Sequence, residues 1–224
     1  MSLSDVLDRI DDQLPAALDR LTGLLRIPSI STDPAYKLHC EDAADWLVDD
    51  LASLGVAAEK RRTPGHPMVV GHVDAPEGTD APHLLFYGHY DVQPVDPLDL
   101  WDTDPFAPEL QDTAKGRVIR ARGASDDKGQ LMTFVEACRA YAHVHGRLPC
   151  RITFFFEGEE ESGSPSLIPF MRDNADELRA DLALICDTSM VAPGVPSIAS
   201  RLRGMLKDEF TLHGPPVDLH SGHY

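Results

Sequence analysis

The chain is 224 residues long, 42 % hydrophobic and 25 % charged, with 20 Lys and Arg against 37 Asp and Glu and a formal net charge of −17. That is the composition of a globular protein, neither disordered nor collagen-like, and it is long enough to bury roughly 70 % of its unfolded surface without disulfide staples. So acidic a chain is a poor partner for nucleic-acid phosphates or an anionic bilayer, because both need basic surface.

In chain order, Ser4 is placed to cap a first helix with Val6, Leu7, Ile10 and Leu14 on one face. Pro15 is expected to break or restart that helix before Leu18, Leu21, Leu24 and Leu25. Residues 41–54 read as a second helix ended by Gly55, and residues 68–72 and 84–87 as short buried strands. Residues 94–108 hold four prolines and Trp101, too Pro-rich a stretch for a regular element. Residues 128–145 make a long helix with Leu131, Phe134, Val135, Cys138 and Tyr141 on one side. Residues 151–156 form a strand whose Phe154, Phe155 and Phe156 suit a sheet covered on both faces. Residues 165–178 look helical, and 181–186 are a further near-continuous apolar strand.

Strands alternating with helices define an α/β fold, a mostly parallel (mixed) sheet sandwiched by helices. The expected boundary falls near Gly204: a catalytic-type domain over 1–204, and the start of a second domain over 205–224 whose first strand is residues 206–212. Cys40, Cys138, Cys150 and Cys186 show no Cys-x-x-Cys spacing and no disulfide framework, so free thiols in a reducing cytoplasm are expected. The acidic, amphipathic start of the chain has neither the basic nor the apolar region of a signal peptide, and apolar runs of a few residues fall far short of a membrane span.

Ligands of open α/β sheets gather at the C-terminal ends of strands. Four polar clusters occupy such positions: Gly88-His89-Tyr90-Asp91, Gly123-Ala124-Ser125-Asp126-Asp127-Lys128-Gly129, Glu157-Gly158-Glu159-Glu160-Glu161-Ser162-Gly163-Ser164, and Asp187-Thr188. Each has a plainer reading taken alone. Asp126 and Asp127 suit a helix N-terminus, a Glu-rich run suits a solvated loop, and Asp187 suits an ordinary turn. Together they mass carboxylates at one sheet edge with few Lys or Arg nearby. A divalent metal pair is the simplest source of the missing positive charge. One His and three carboxylates, one of them bridging, suit a dinuclear zinc site with metals ~3.5–4 Å apart.

These motifs, with Leu85-Phe86-Tyr87 before the first and Gln93-Pro94-Val95, Leu100-Trp101 and Asp104-Pro105-Phe106 after it, resemble the aminoacylase/acetylornithine deacetylase/glutamate carboxypeptidase family of zinc metallopeptidases. Within that family the look is of the carnosine-dipeptidase-like branch. The resemblance runs from Leu25-Arg26-Ile27-Pro28-Ser29 to Asp218-Leu219-His220-Ser221-Gly222.

It implies that His89, Asp126, Glu161 and Asp187 bind two divalent metals, zinc first with manganese or cobalt as alternatives. Asp126 would bridge the two through a carboxylate aimed by a cis bond to Asp127. Asp91 would orient the His89 imidazole. Glu160 would be the general base that takes the proton from a metal-activated water and passes it to the leaving nitrogen. His220 would reach the active site of a partner subunit in a homodimer built through the lid domain, and stabilise the oxyanion there. The implied reaction is amide hydrolysis in dipeptides or short peptides with a free carboxylate, with N-acyl-amino-acid deacylation as the alternative. Members of the family are longer, and their second histidine ligand has no counterpart here, since neither His213 nor His223 sits in a matching motif. The chain therefore reads as an N-terminal portion of a longer enzyme. Taken as it stands, it has a second reading as a non-catalytic metal-binding fragment.

Overall fold

The computed structural model describes residues 2–114, 116–215, 217–220 and 222. The chain divides into two units, Met1–Ser189 and Met190–Tyr224. The first unit carries all the regular structure among the described residues.

Helix α1 spans Leu3–Leu25 without interruption and passes through Pro15. Its cap is Ser2, not Ser4. The Asp5 N–H donates to Ser2 Oγ (3.4 Å) while Asp5 Oδ2 accepts from the Ser2 N–H (2.6 Å), a reciprocal capping box. Pro15 removes one helical hydrogen bond, at a cost of ~3 kcal/mol in a helix interior. Both Pro15 and Asp11, whose carbonyl is freed, are exposed, so water serves that carbonyl. Contact with the later helix α3 holds α1 in place, anchored by a bidentate pair from Arg20 to Glu136 (2.6 Å at each end).

Helix α2 (Lys37–Ser53) buries Cys40, Ala43, Ala44, Leu47 and Leu51, a single stripe at helical spacing. It ends before Gly55, whose φ of +84° is open only to residues tolerant of the left-handed region. Strands β1 (Ala57–Arg61), β2 (Met68–Val73) and β3 (Leu84–His89) follow. A Pro-rich loop then leads to a separate two-stranded hairpin, β4 (Glu109–Thr113) with β5 (Gly116–Arg120). Helix α3 (Lys128–His145) falls where the apolar spacing places it, and strand β6 (Ile152–Glu157) follows. The helical stretch after it is two short helices, α4 (Leu167–Asp173) and α5 (Ala175–Leu178), before strand β7 (Leu182–Ile185).

The main sheet has the order β1-β2-β6-β3-β7. Its pairings are antiparallel for β1/β2 and β2/β6, and parallel for β6/β3 and β3/β7. Strand β6 lies at the centre with every residue buried. Its alternate residues serve two cores. Phe154 and Phe156 join Phe86, which stacks on Phe134 of α3 at 4.0 Å. Phe155 faces Met68 and Val70 and stacks on Phe170 of α4 at 5.7 Å. Strand β7 has the expected apolar sequence, but it stands at the sheet edge with its residues exposed.

Two elements escaped the sequence reading. Strand β1 (Ala-Ala-Glu-Lys-Arg) and the hairpin β4–β5 are short and polar, because each has only one partner strand and little core to face. A third expectation is corrected: residues 206–212 form no strand. A strand needs a partner ladder, and Leu206, Phe210 and Leu212 are instead exposed.

Arg61 on β1 donates to both oxygens of Glu177 on α5 (2.5 Å each), and His72 Nε2 meets the same carboxylate at 2.8 Å. The Arg61 hydrogen bond, against an opposing effect of burial, holds the Glu177 carboxyl down at about 2. A carboxyl depressed in the folded state contributes stability above its unfolded value, and that contribution is lost as pH falls through the folded value. Glu177→Gln is therefore expected to lose less stability than wild type between about pH 5 and about pH 2. Urea denaturation across that range checks it.

Candidate metal centre

The parallel pairing of β3, β6 and β7 points their C-terminal ends the same way. Those ends deliver His89, then residues 157–161, then Asp187 after β7. The loop before α3 brings Asp126 and Asp127 to the same edge, and the bond between them is cis.

The His89 ring is wholly buried. Its Nε2 lies 3.1 Å from Asp126 Oδ1, 3.7 Å from Asp187 Oδ2 and 4.0 Å from Glu160 Oε2. Its Nδ1 lies 3.2 Å from the Asp91 carbonyl and 3.3 Å from Asp91 Oδ1, so Nδ1 carries the hydrogen and Nε2 faces the acids. Burial by itself lowers the His89 pKa. The hydrogen bond and charge of Asp91, with Asp127 and Glu160, more than reverse this and raise it to about 10. The imidazole sits in a strongly negative field.

The carboxylates around it are raised in turn. Burial is the first cause for Glu160, opposed by His89, and Asp187, Asp91 and Asp126 add repulsion. Burial also raises Asp187 and Glu161. Asp127 is pushed up to about 7 by burial. Its Oδ2 accepts from the His89 N–H (3.0 Å), and its buried Oδ1 has no hydrogen-bond partner among the described residues.

This arrangement fits a divalent cation. Ligand atoms of His89, Asp126 and Asp187 all lie within 4.8 Å of one another. One imidazole nitrogen with carboxylate oxygens is a donor set for zinc or manganese. A cation there would relieve both the mutual repulsion and the negative field on His89. Glu160 is the neighbouring carboxylate outside that group of three. Glu161 also stands outside it, with its Oε2 accepting a hydrogen bond from Gln93 Nε2 at 2.7 Å. His220 belongs to the second unit, where its Nδ1 accepts from the Gly222 N–H (3.2 Å).

Of the four glutamates between 157 and 161, two are scaffold. Glu157 is buried and accepts from Tyr87 and from Ser164 Oγ (2.9 Å). Glu159 is buried and accepts the N–H groups of His66 and Ser166 (3.0 Å each). It lies so close to Gly65 that a Cβ there would fall 1.5 Å from Glu159 Oε1. The sequence reading missed these roles, and missed Gln93 and Lys128 as well. Lys128 is fully buried, and its Nζ donates to the carbonyls of Leu24 (3.1 Å) and Ile27 (2.7 Å), tying the end of α1 to the start of α3. A signal for Gln93 was present: it follows His89 and Asp91 within four residues at the end of β3.

Asp91 is the hinge of the geometry. Besides facing His89, its Oδ1 accepts the Glu160 N–H (3.2 Å) and its Oδ2 the Glu161 N–H (3.0 Å). One wholly buried carboxylate holds both the imidazole and the loop carrying the two glutamates.

A mixed α/β sheet that gathers a buried imidazole and several carboxylates at its strand ends places a set of metal-type donors where open α/β sheets hold their ligands. Residues 85–219 match the model of Peptidase family M20/M25/M40, and the chain belongs to that family. It is 34 % identical over 232 residues to the Cys-Gly metallodipeptidase dug1 of Schizosaccharomyces pombe, covering 99 % of this chain and 48 % of that protein. It is 33 % identical over 141 residues to the human Beta-Ala-His dipeptidase, covering 62 % of this chain and 27 % of the relative. Among solved structures, the dipeptidase Dug1p from Saccharomyces cerevisiae superposes with a TM-score of 0.73 at 28 % identity, over 82 % of this chain and 40 % of that one. Human carnosine dipeptidase 1 gives 0.72 at 26 % identity, over 82 % and 41 %. The chain thus spans about half the length of the Schizosaccharomyces pombe relative.

Asp91→Asn keeps the side chain's size but turns an NH₂ group toward a backbone N–H or toward the His89 Nδ1–H. Zinc affinity is expected to fall ~10–100-fold, the usual effect of removing a partner that orients a ligand. Equilibrium dialysis of the variant against wild type measures it.

Proposed function

We propose that this chain is the metal-binding catalytic portion of a dinuclear metallodipeptidase, which hydrolyses the peptide bond of dipeptides or short peptides bearing a free carboxylate. One observation carries the reading: ligand atoms of His89, Asp126 and Asp187 converge within 4.8 Å of one another, and Glu160 stands 4.0 Å from the same His89 nitrogen. A carboxylate beside a metal group is placed to take a proton from water there. Family membership and the dipeptidase relatives support the substrate class.

In this reading His89, Asp126, Glu161 and Asp187 would hold two divalent ions, one with His89 and Asp187 and the other with Glu161, Asp126 being shared, with zinc the preferred metal and manganese or cobalt accepted. The bound ions supply Lewis acidity, polarising the scissile carbonyl and acidifying water. Glu160 takes the proton of the attacking water and delivers it to the departing amine. Asp91 keeps the His89 imidazole aimed and fixes the backbone beneath Glu160. Residues 205–224 open a lid domain through which two subunits associate, and His220 from that segment stabilises the oxyanion in the partner's site. The enzyme works in the cytoplasm, consistent with four free cysteines. No helix among the described residues is long and apolar enough to cross a membrane.

Chelation is expected to abolish release of amino acids from dipeptides by the enzyme, and zinc or manganese to restore it. Glu160→Ala is expected to retain its metals by elemental analysis while turnover falls ~10²–10⁴-fold. Loss of the metals from that variant would exchange the roles of base and ligand. Hydrolysis unaffected by chelation would overturn the reading as a whole.

A further inference from the structure

The two proposed metal positions differ in how completely the fold assembles them. For one, the ligand atoms of His89, Asp126 and Asp187 already converge within 4.8 Å. For the other, the carboxylate of Glu161 stands apart and is held by a side chain. Gln93 Nε2 lies 2.7 Å from Glu161 Oε2 and 3.3 Å from the Glu161 carbonyl oxygen. Both neighbours are acceptors, so the amide NH₂ of Gln93, with its two hydrogens, is the end that must face them. A single side chain therefore grips Glu161 by backbone and carboxylate together, which fixes the direction of the carboxylate relative to the loop. It occupies one carboxylate oxygen and leaves Oε1 available.

Gln93 is itself well placed for this. It lies two residues beyond Asp91 and four beyond His89, past the end of β3. Asp91 Oδ2 accepts the Glu161 N–H (3.0 Å), so Glu161 is held at its N–H by Asp91 and at its carbonyl and carboxylate by Gln93. A glutamate without these contacts would spread over several rotamers, which a metal would then have to order.

We infer that Gln93 is a positioning residue that preorganises Glu161 for the second metal and has no part in the first. The inference rests on the two-metal reading above and goes beyond it. It predicts that the two metal equivalents can be uncoupled by a residue that ligates neither.

The test is calorimetric titration, with Co(II), of the metal-free longer enzyme that contains this chain, with the visible absorption of the bound ion recorded alongside. Wild type is expected to take up two equivalents. Gln93→Leu, which keeps bulk but has no donor, is expected to bind the first equivalent within about threefold of wild type and the second ~10–100-fold more weakly. Gln93→Asn, whose donor is one methylene too short, is expected to show the same selective loss. Thermal melts of both metal-free variants are expected to match wild type, since Gln93 is exposed. Two equivalents bound by the variants as by wild type, or both equivalents weakened alike, would overturn the role of Gln93 and leave the two-metal reading standing. A wild type that binds one equivalent would overturn the two-metal reading, and the role of Gln93 with it.

Discussion

The site depends on one buried carboxylate. Asp91 has no exposure to solvent, and its oxygens are shared among His89 Nδ1 and the N–H groups of Glu160 and Glu161. An ionised carboxylate is costly to bury unless every lone pair finds a donor. Here the donors come from two strand ends, so neither segment can shift without leaving Asp91 unsatisfied. The imidazole and the glutamate loop are thereby locked to a common reference.

The fold arranges for those ends to meet. Strand β6 is buried along its whole length and is paired in parallel with β3, in a register that sets His89 opposite Glu157. The Tyr90 N–H then continues the pairing onto the Glu157 carbonyl (2.9 Å). Beyond the sheet, the loop after β6 is held from below. Glu159 accepts N–H groups from two separate segments, and its carbonyl accepts those of Ser162 (3.1 Å) and Ser164 (2.7 Å). On the other flank, Lys128 ties the carbonyl end of α1 to the helix that follows Asp126 and Asp127. Glu160 and Glu161 project from a rigid frame whose other acidic members are committed to it.

Electrostatics separate the acidic surface from the acidic site. Much of the −17 charge is scattered over exposed helices and loops, where solvent screens it. At the site the acids surround the His89 imidazole, while Arg20 pairs with Glu136, Arg61 with Glu177, and Lys128 with carbonyls. A cation bound there would balance the cluster.

The sequence by itself determined the class of fold, the long helix over 128–145, the central phenylalanine strand, and four polar segments next to strand ends. These are local properties: apolar periodicity, β-branched and aromatic runs, and acids placed directly after strands. It did not determine the short edge elements. Nor did it determine the continuity of α1 through Pro15, which depends on packing against α3 rather than on propensity. Within the glutamate run it assigned no task to Glu157 and Glu159, since by residue type they are the same as Glu160 and Glu161 and differ only in what surrounds them. Tertiary structure decided that, by bringing His66 and Ser166 to Glu159 and Tyr87 to Glu157. It also decided the reach of Asp91, whose partners lie about seventy residues away in the chain. A buried charge is defined by partners distant in sequence, and only the folded chain assembles them.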